Sequence, residues 1–311
     1  MIPFITNHKA NLFKLIKLGK PQFAFGLFFY FCIGALLAVL FNADFVLSKF
    51  ILGYVILFLA TLAVHYHNDY FDFEADQYVT PTAISGGSGV LVENPQWREL
   101  SKRIAISIIG LSILFAVIFT VIFSYTIWFL LFVIFGNLLA WFYAAPPVKL
   151  SYRGLGEFGN TAIGILFPAM GYFALMGTLD LPFLVFIMPL IFLQLIFTIS
   201  VEIPDMEGDK LGGKVTWIVS RGRGFGFKLI AFSGFMVTVS FLIISFTNLF
   251  PLNLDFRILA LFSLIPLSLG IVELIKKPLD KVSATKFATY NLVSIFTVLI
   301  LINCYLIYIL G

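Results

Sequence analysis

Charge is scarce in this sequence. Asp, Glu, Lys and Arg make up 12% of its 311 residues, against about 25% in an ordinary soluble domain. No long polar stretch is left from which a separate soluble domain might be built, and no nucleic-acid partner is expected. Cysteine is nearly missing. Cys32 and Cys304 lie inside apolar runs near opposite ends of the chain, which reads as packing rather than as a disulfide or a thiol site. There is no Gly-x-x-x-x-Gly-Lys-Ser/Thr loop, so nucleotide hydrolysis is not suggested. A cleaved signal peptide also fits poorly: the first apolar run, Gln22 to Phe41, outlasts the roughly 7–15 residues of a signal's apolar core.

What the chain has instead is hydrophobic length. Apolar residues account for 60% of it, and 38 of them are Phe. A spanning helix needs about 20 apolar residues, and such runs recur from end to end. The expected spans are Gln22–Phe41, Phe45–His65, Arg103–Phe123, Thr126–Tyr143, Phe158–Met176, Phe183–Val201, Phe227–Phe246, Phe256–Glu273 and Ala288–Leu310. Segments of this length satisfy their backbones in lipid only as helices. The expectation is an all-α, polytopic membrane protein of nine transmembrane helices. Residues 21–311 would form one transmembrane domain, preceded by a basic segment, 1–20, that is either an interfacial amphipathic helix or a disordered tail.

Basic residues orient the bundle. With the N-terminus cytoplasmic, 18 of the 20 Lys and Arg fall on the inner side, leaving only Lys49 and Arg257 outside. That asymmetry is what the positive-inside rule reads, and it places the chain in the cell membrane as a multi-pass protein.

Acidic residues are clustered. Eight of 16 sit in two short stretches at the inner ends of the second and sixth spans, residues 68–76 and 202–209. Asp69, Asp72 and Asp76 stand at i, i+3 and i+7, and Glu202, Asp205 and Asp209 repeat the pattern. On a helix those offsets share one face. The two sets are offset by a constant 133 residues (205 − 72 and 209 − 76), as a parallel duplication of a four-helix unit with one added helix would produce. Like charges this close repel unless a cation sits among them. Mg²⁺ suits the arrangement, since it takes one or two carboxylates and completes its shell from water and substrate phosphate. Lys149, Arg153, Lys210 and Lys214 lie nearby for direct phosphate contact.

At these residues the sequence resembles the UbiA superfamily of intramembrane prenyltransferases. Asn68, Asp69, Asp72 and Asp76 fill that family's N-D-x-x-D-x-x-x-D motif, and Asp205 and Asp209 its D-x-x-x-D motif, followed by Lys210 and Gly213-Lys214-x-Thr216. The stretch from Tyr143 through Pro146, Pro147, Lys149 and Arg153 to Glu157 is similar to the loop after the family's fourth helix. 4-Hydroxybenzoate-type members place an Arg-Pro pair after the first motif. Here there is no Lys or Arg between Asp76 and Arg98, and Ser85-Gly86-Gly87-Ser88-Gly89 stands in that region. The chain is therefore most like the 1,4-dihydroxy-2-naphthoate polyprenyltransferases of menaquinone synthesis. The glycine-rich stretch binds phosphate or acceptor through backbone N–H groups, or is a flexible turn.

The resemblance implies a membrane-embedded, Mg²⁺-dependent transfer from a prenyl diphosphate to an aromatic acceptor. Asn68, Asp72, Asp76, Asp205 and Asp209 would hold metal; Lys149, Arg153, Lys210 and Lys214 would contact diphosphate. Asp69, Tyr143 and Lys149 would be catalytic, with Asp69 either supporting its neighbours or helping to deprotonate the acceptor, and Tyr143 either near substrate or an interfacial anchor. Other acceptors fit the same motifs: 4-hydroxybenzoate, homogentisate, geranylgeranylglyceryl phosphate, or a haem or chlorophyll precursor. A cation-coupled transporter is the competing class, but it would carry its carboxylates near the bilayer midplane rather than at helix ends. His65 and His67 read as interfacial residues, and Glu157 as a helix cap or a partner for Lys149.

The topology is testable. A cysteine at position 281 should label only from the cytoplasmic face and one at position 253 only from the opposite face, scored with an impermeant maleimide on sealed vesicles. Labelling of both from one side would break the nine-span arrangement.

Overall fold

Backbone polar groups in lipid must bond within their own segment, and this chain complies. The computed structural model describes residues 8–82 and 84–311, which form helices and turns with no strand among them. In order the helices are α1 (His8–Leu18), α2 (Pro21–Leu40), α3 (Leu47–Phe71), α4 (Phe73–Asp76), α5 (Val90–Glu93), α6 (Arg98–Ile122) and α7 (Ile127–Ala144). There follow α8 (Gly156–Met176), α9 (Leu181–Glu202), α10 (Met206–Leu211), α11 (Trp217–Arg221), α12 (Arg223–Ile244), α13 (Phe256–Lys276) and α14 (Lys281–Leu310). Eight of them are long and apolar enough to cross a membrane, and α2 adds a shorter apolar stretch, Gly26–Leu40, among the described residues.

The long helices run past the apolar segments expected from hydropathy, chiefly toward the acidic clusters. α3 continues from His65 to Phe71, α13 from Glu273 to Lys276, and α14 begins at Lys281 rather than Ala288. Hydropathy ends where polar residues begin, but the hydrogen-bonded ladder does not. Side-chain caps set several of the starts: Asp180 accepts from the Phe183 amide at 3.2 Å, Asp255 from Arg257 at 2.9 Å and Asp280 from Ser283 at 2.9 Å.

The duplication suggested by acidic spacing is visible in the element order. α2, α3, α4, α6 and α7 are repeated by α8, α9, α10, α12 and α13; Phe73 and Met206, which open α4 and α10, lie 133 residues apart. The extra helix, α14, packs on α2, α9 and α13. Across the join between the halves, α2 and α8 meet backbone to backbone. A Cβ on Gly34 would lie 1.9 Å from the Pro168 carbonyl oxygen, and one on Gly171 would lie 2.0 Å from that of Phe31. Only glycine allows such an approach, and in lipid close packing is a main source of helix association. Tyr30, Phe31 and Tyr172 are buried around this contact and extend the core.

Within the basic segment α1 is helical from His8 to Leu18; residues 1–7 of that segment lie outside the described residues. Leu18 is buried, Tyr66 donates to the Leu15 carbonyl at 2.9 Å, and Lys14 reaches Asn94 at 3.1 Å. Leu12, Phe13 and Ile16 stay exposed.

Candidate active site

α3 and α9, equivalent helices of the two halves, each end in a short break and resume as α4 and α10. Across the first break the Asp72 amide bonds to the Asn68 carbonyl at 2.8 Å and the Asp76 amide to that of Asp72 at 2.8 Å; across the second, the Asp209 amide bonds to that of Asp205 at 2.8 Å. These i to i+4 bonds keep the helical register through both motifs, so their carboxylates stay on one face. Asn68, Asp69, Asp72, Asp76, Asp205 and Asp209 all line a single cavity of about 320 Å³, and so does Tyr143.

Below this acidic end the lining is mainly apolar, with Leu27, Ile56, Leu57, Phe132, Phe167, Met170 and Phe296, interrupted by the polar side chains of Thr61, Asn137 and Gln194. The lining residues of α3 run from Ile56 to Asp69, a length of about 20 Å at 1.5 Å per residue. One polar mouth therefore opens into one long, mainly apolar shaft.

Lys214 ties the two motifs together. Its ammonium lies 3.0 Å from an Asp72 oxygen and 3.3 Å from Asp209, and its amide bonds to the Asp209 carbonyl at 2.9 Å. Burial opposes its charge, but Asp72, Asp209 and Asp76 outweigh that and hold its pKa well above the usual lysine range. The acids are less well compensated. Burial pushes Asp76 up to about 8, with Asp69 adding repulsion, and pushes Asp205 up to about 6, with Asp209 adding to it. Asp209 is raised as well, again chiefly by burial.

Part of the glycine-rich stretch is engaged by the two motifs. Ser85 donates its hydroxyl to Asp205 at 2.9 Å and the Gly86 amide donates to the other oxygen at 2.7 Å. Ser88 gives both its amide, at 3.0 Å, and its hydroxyl to Asp69. Gly87 passes so close to Asp76 that a Cβ there would lie 2.0 Å from the carboxylate. The loop that follows the first motif thus clasps the second, and Lys20 fastens the clasp by donating to the Gly86 carbonyl.

Three expected phosphate contacts stand elsewhere. Lys149, Arg153 and Lys210 are not among the lining residues. Lys149 has a left-handed backbone, φ 48°, and its ammonium sits 4.5 Å over the Tyr152 ring. Arg153 donates to the Pro147 carbonyl at 2.8 Å, and Lys210 is exposed on α10. In their place Lys20 lines the cavity, and Tyr152 donates to Asp72 at 2.9 Å. Glu207 points away to Arg223, 2.6 Å distant, as a residue off the shared face should. His67 is buried against Trp141, while His65 lines the cavity beside Phe23. Glu157 does not pair with Lys149; it lies in the first turn of α8, is buried and accepts from the Trp217 amide.

The donor set fits a hard divalent cation. Hard oxygen ligands converge on the mouth, and the Asn68 side-chain oxygen, Oδ1, has no donor among the described residues. No group of three or more His, Cys, Asp or Glu side chains is gathered tightly enough to hold a metal by itself among those residues. Mg²⁺ needs no such cage, because one or two carboxylates suffice when phosphate supplies the rest.

A model of the UbiA prenyltransferase family matches residues 27–306. A 1,4-dihydroxy-2-naphthoate octaprenyltransferase of Bacillus subtilis (strain 168) is 26% identical over 189 residues, covering 58% of this chain and 59% of that protein. The match thus spans little more than half of that relative's length. A solved structure of a UbiA homolog from Archaeoglobus fulgidus bound to DMAPP and Mg²⁺ aligns with a TM-score of 0.66 at 15% identity, covering 96% of this chain and 99% of that one. A structure of digeranylgeranylglyceryl phosphate synthase aligns at 0.64 with 17% identity, over 96% and 99% of the two chains. At these identities the likeness to the solved structures is one of fold.

Removing the Lys214 cation should unsettle the folded mouth. Lys214→Met leaves Asp72 and Asp209 buried without their partner, a change expected to cost about 3–5 kcal/mol. Adding Asp209→Asn should recover part of the loss. Thermal unfolding in detergent with chelator present measures both, and a Lys214→Met protein as stable as its parent would contradict the bridge.

Proposed function

The chain belongs to the UbiA prenyltransferase family, and from that premise we propose that it transfers a prenyl group from a prenyl diphosphate to an aromatic quinone precursor inside the membrane. The observation that carries this reading is the continuity of the acidic mouth with the apolar shaft in one cavity. A prenyl diphosphate has the same polarity along its length: a multiply charged head joined to a hydrocarbon chain. The head is read to sit among the carboxylates with its cation, the chain to run down past Ile56, Phe132 and Met170. Support comes from the Archaeoglobus fulgidus homolog bound to DMAPP and Mg²⁺ and from the naphthoate specificity in the Bacillus subtilis relative's name. A naphthoate is accordingly the preferred acceptor.

In this reading Asn68, Asp72, Asp76, Asp205 and Asp209 hold Mg²⁺. The bound metal supplies charge neutralisation for the departing diphosphate. Lys214 and Lys20 lie in the lining and contact the phosphate directly. Lys149, Arg153 and Lys210 form a positive rim that draws the anionic donor toward the mouth. Asp69 acts through Ser88, keeping the clasp in place so that Gly86 can orient Asp205. Phe132, Phe167, Phe197 and Phe296 in the lining keep water from the allylic carbon while its bond to oxygen lengthens. The same reading sets nine spans, with α2 as the first, both motifs on the cytoplasmic side of the cell membrane, and α1 laid on the lipid surface by Leu12, Phe13 and Ile16.

The purified chain should transfer a labelled prenyl group when given Mg²⁺ and a panel of naphthoate, hydroxybenzoate, homogentisate and geranylgeranylglyceryl phosphate, and should stop in excess chelator. Asp72→Asn and Asp205→Asn should each lower turnover by orders of magnitude. The double variant should lose far less than the product of the single losses, because residues that act as a unit are not additive. Glu207→Gln, which keeps an acceptor for Arg223, is the internal control. Full turnover in chelator, or near-normal activity in either single variant, would count against the site.

A further inference from the structure

A prenyl diphosphate is polar only at its head. The hydrocarbon behind that head has nothing to offer a hydrogen bond, so a shaft that held the donor's chain alone would need no polar lining. The shaft nevertheless carries three carboxamides: Asn137 on α7, Asn160 on α8 and Gln194 on α9. Counted along their helices from Ala144, Gly156 and Glu202 at 1.5 Å per residue, they lie about 10, 6 and 12 Å below the level of the mouth.

Gln194 is the clearest case. It is only 2% exposed, and its Oε1 has no donor among the described residues. The fold makes room for it: a Cβ on Gly164 would lie 2.1 Å from the Gln194 Cδ, so only glycine at that point of α8 lets the amide lie where it does. A leucine of similar volume would fill the same space with no unpaired group, whereas burying an amide without a partner is unfavourable. Asn137, also buried, spends its Nδ2 on the Val133 carbonyl at 2.9 Å, and Asn160 is half-buried. The lining from α2, α3 and α14 differs. It offers Leu27, Ile56, Leu57 and Phe296, and Thr61 there turns its hydroxyl back onto the Leu57 carbonyl at 2.9 Å. His65, one turn from Asp69, lies against Phe23. The cavity thus has an amide side and a hydrocarbon side.

We propose that Asn137, Asn160 and Gln194 form the subsite for the prenyl acceptor and recognise its uncharged hydroxyl or carbonyl groups, while the donor's chain lies along the lining from α2, α3 and α14. The inference rests on the prenyl transfer put forward above and on no particular ring system. Charge decides which of the acceptor's groups come here. The Lys and Arg residues of the lining are Lys20 and Lys214, and both are engaged at the mouth. An anionic group of the acceptor therefore stays toward the mouth, and its neutral groups reach the amides. A carboxamide offers both donor and acceptor atoms, which suits a hydroxyl or a carbonyl. A compound lacking that group leaves the amide unpaired, which is how a buried polar site selects against it.

The test uses the purified full-length chain with Mg²⁺ and geranyl or geranylgeranyl diphosphate. The acceptor is whichever of naphthoate, hydroxybenzoate, homogentisate and geranylgeranylglyceryl phosphate the wild type prenylates. In Gln194→Leu the acceptor KM should rise about tenfold, the scale of one buried polar group left unpaired, with the donor KM within about twofold of wild type. Acceptor analogues lacking one hydroxyl or carbonyl at a time should include one whose KM is raised in the wild type and no further in Gln194→Leu. Gly164→Ala, which pushes the amide from its place, and Asn160→Leu should raise the acceptor KM in the same way; these two variants decide the matter should Gln194→Leu fail to fold. An acceptor KM within about twofold of wild type in the folded variants would overturn the subsite. So would an equal rise in the donor KM, which marks a loss of cavity shape rather than of recognition. A wild type that transfers to none of the four acceptors would count against prenyl transfer itself, whereas intact wild-type transfer with unmoved variants counts against the subsite alone.

Discussion

Five aspartates, Asp69, Asp72, Asp76, Asp205 and Asp209, line one end of a cavity inside a hydrophobic bundle, and charges of one sign stay together at such depth only if something positive or hydrogen-donating stands among them. Much of the mouth's architecture answers that need. Lys214 lies within 3.0 Å of an oxygen from the first motif and 3.3 Å of one from the second. Ser88 answers Asp69, Tyr152 answers Asp72, and Ser85 with Gly86 answers Asp205. Asp76 has no hydrogen-bond donor or ion pair of this kind among the described residues, and burial carries it up to about 8. In the proposed function, a divalent cation with a diphosphate would complete what the protein's own groups leave partly balanced.

The duplicated helical unit explains how two sequence-distant motifs come to share that mouth. Each half ends its second long helix in a break and a short helical continuation, α3 into α4 and α9 into α10. Bringing the halves together depends on the backbone contact of α2 with α8 through Gly34 and Gly171. A side chain at either position would push the helices apart. Site and fold are thus coupled through packing far from the carboxylates.

Much of this was legible in the sequence. Apolar runs marked the long helices, and the i, i+3, i+7 spacing placed the carboxylates of each motif on one face. Helix ends near the motifs were not legible, because polar residues such as those from Tyr66 to Phe71 continue the ladder with no hydropathy signal. The clasp was also hidden: Ser85 bonds a residue 120 positions away, and serine and glycine advertise no long-range partner. Lys149 and Arg153 looked like phosphate ligands from their charge, yet one is turned by its backbone onto Tyr152 and the other is held by the Pro147 carbonyl. Glu157 carried no sign of its partner, since Trp217, whose amide it accepts, lies 60 residues on.

The central claim is that both motifs act on one metal-bound diphosphate. Electron–nuclear double resonance on the purified chain, with Mn²⁺ in place of Mg²⁺ and inorganic diphosphate as ligand, reads it without turnover. A ³¹P hyperfine coupling to the bound ion is expected in the wild type and should be lost in both Asp72→Asn and Asp205→Asn. A coupling that survives at full strength in either variant would contradict the shared site.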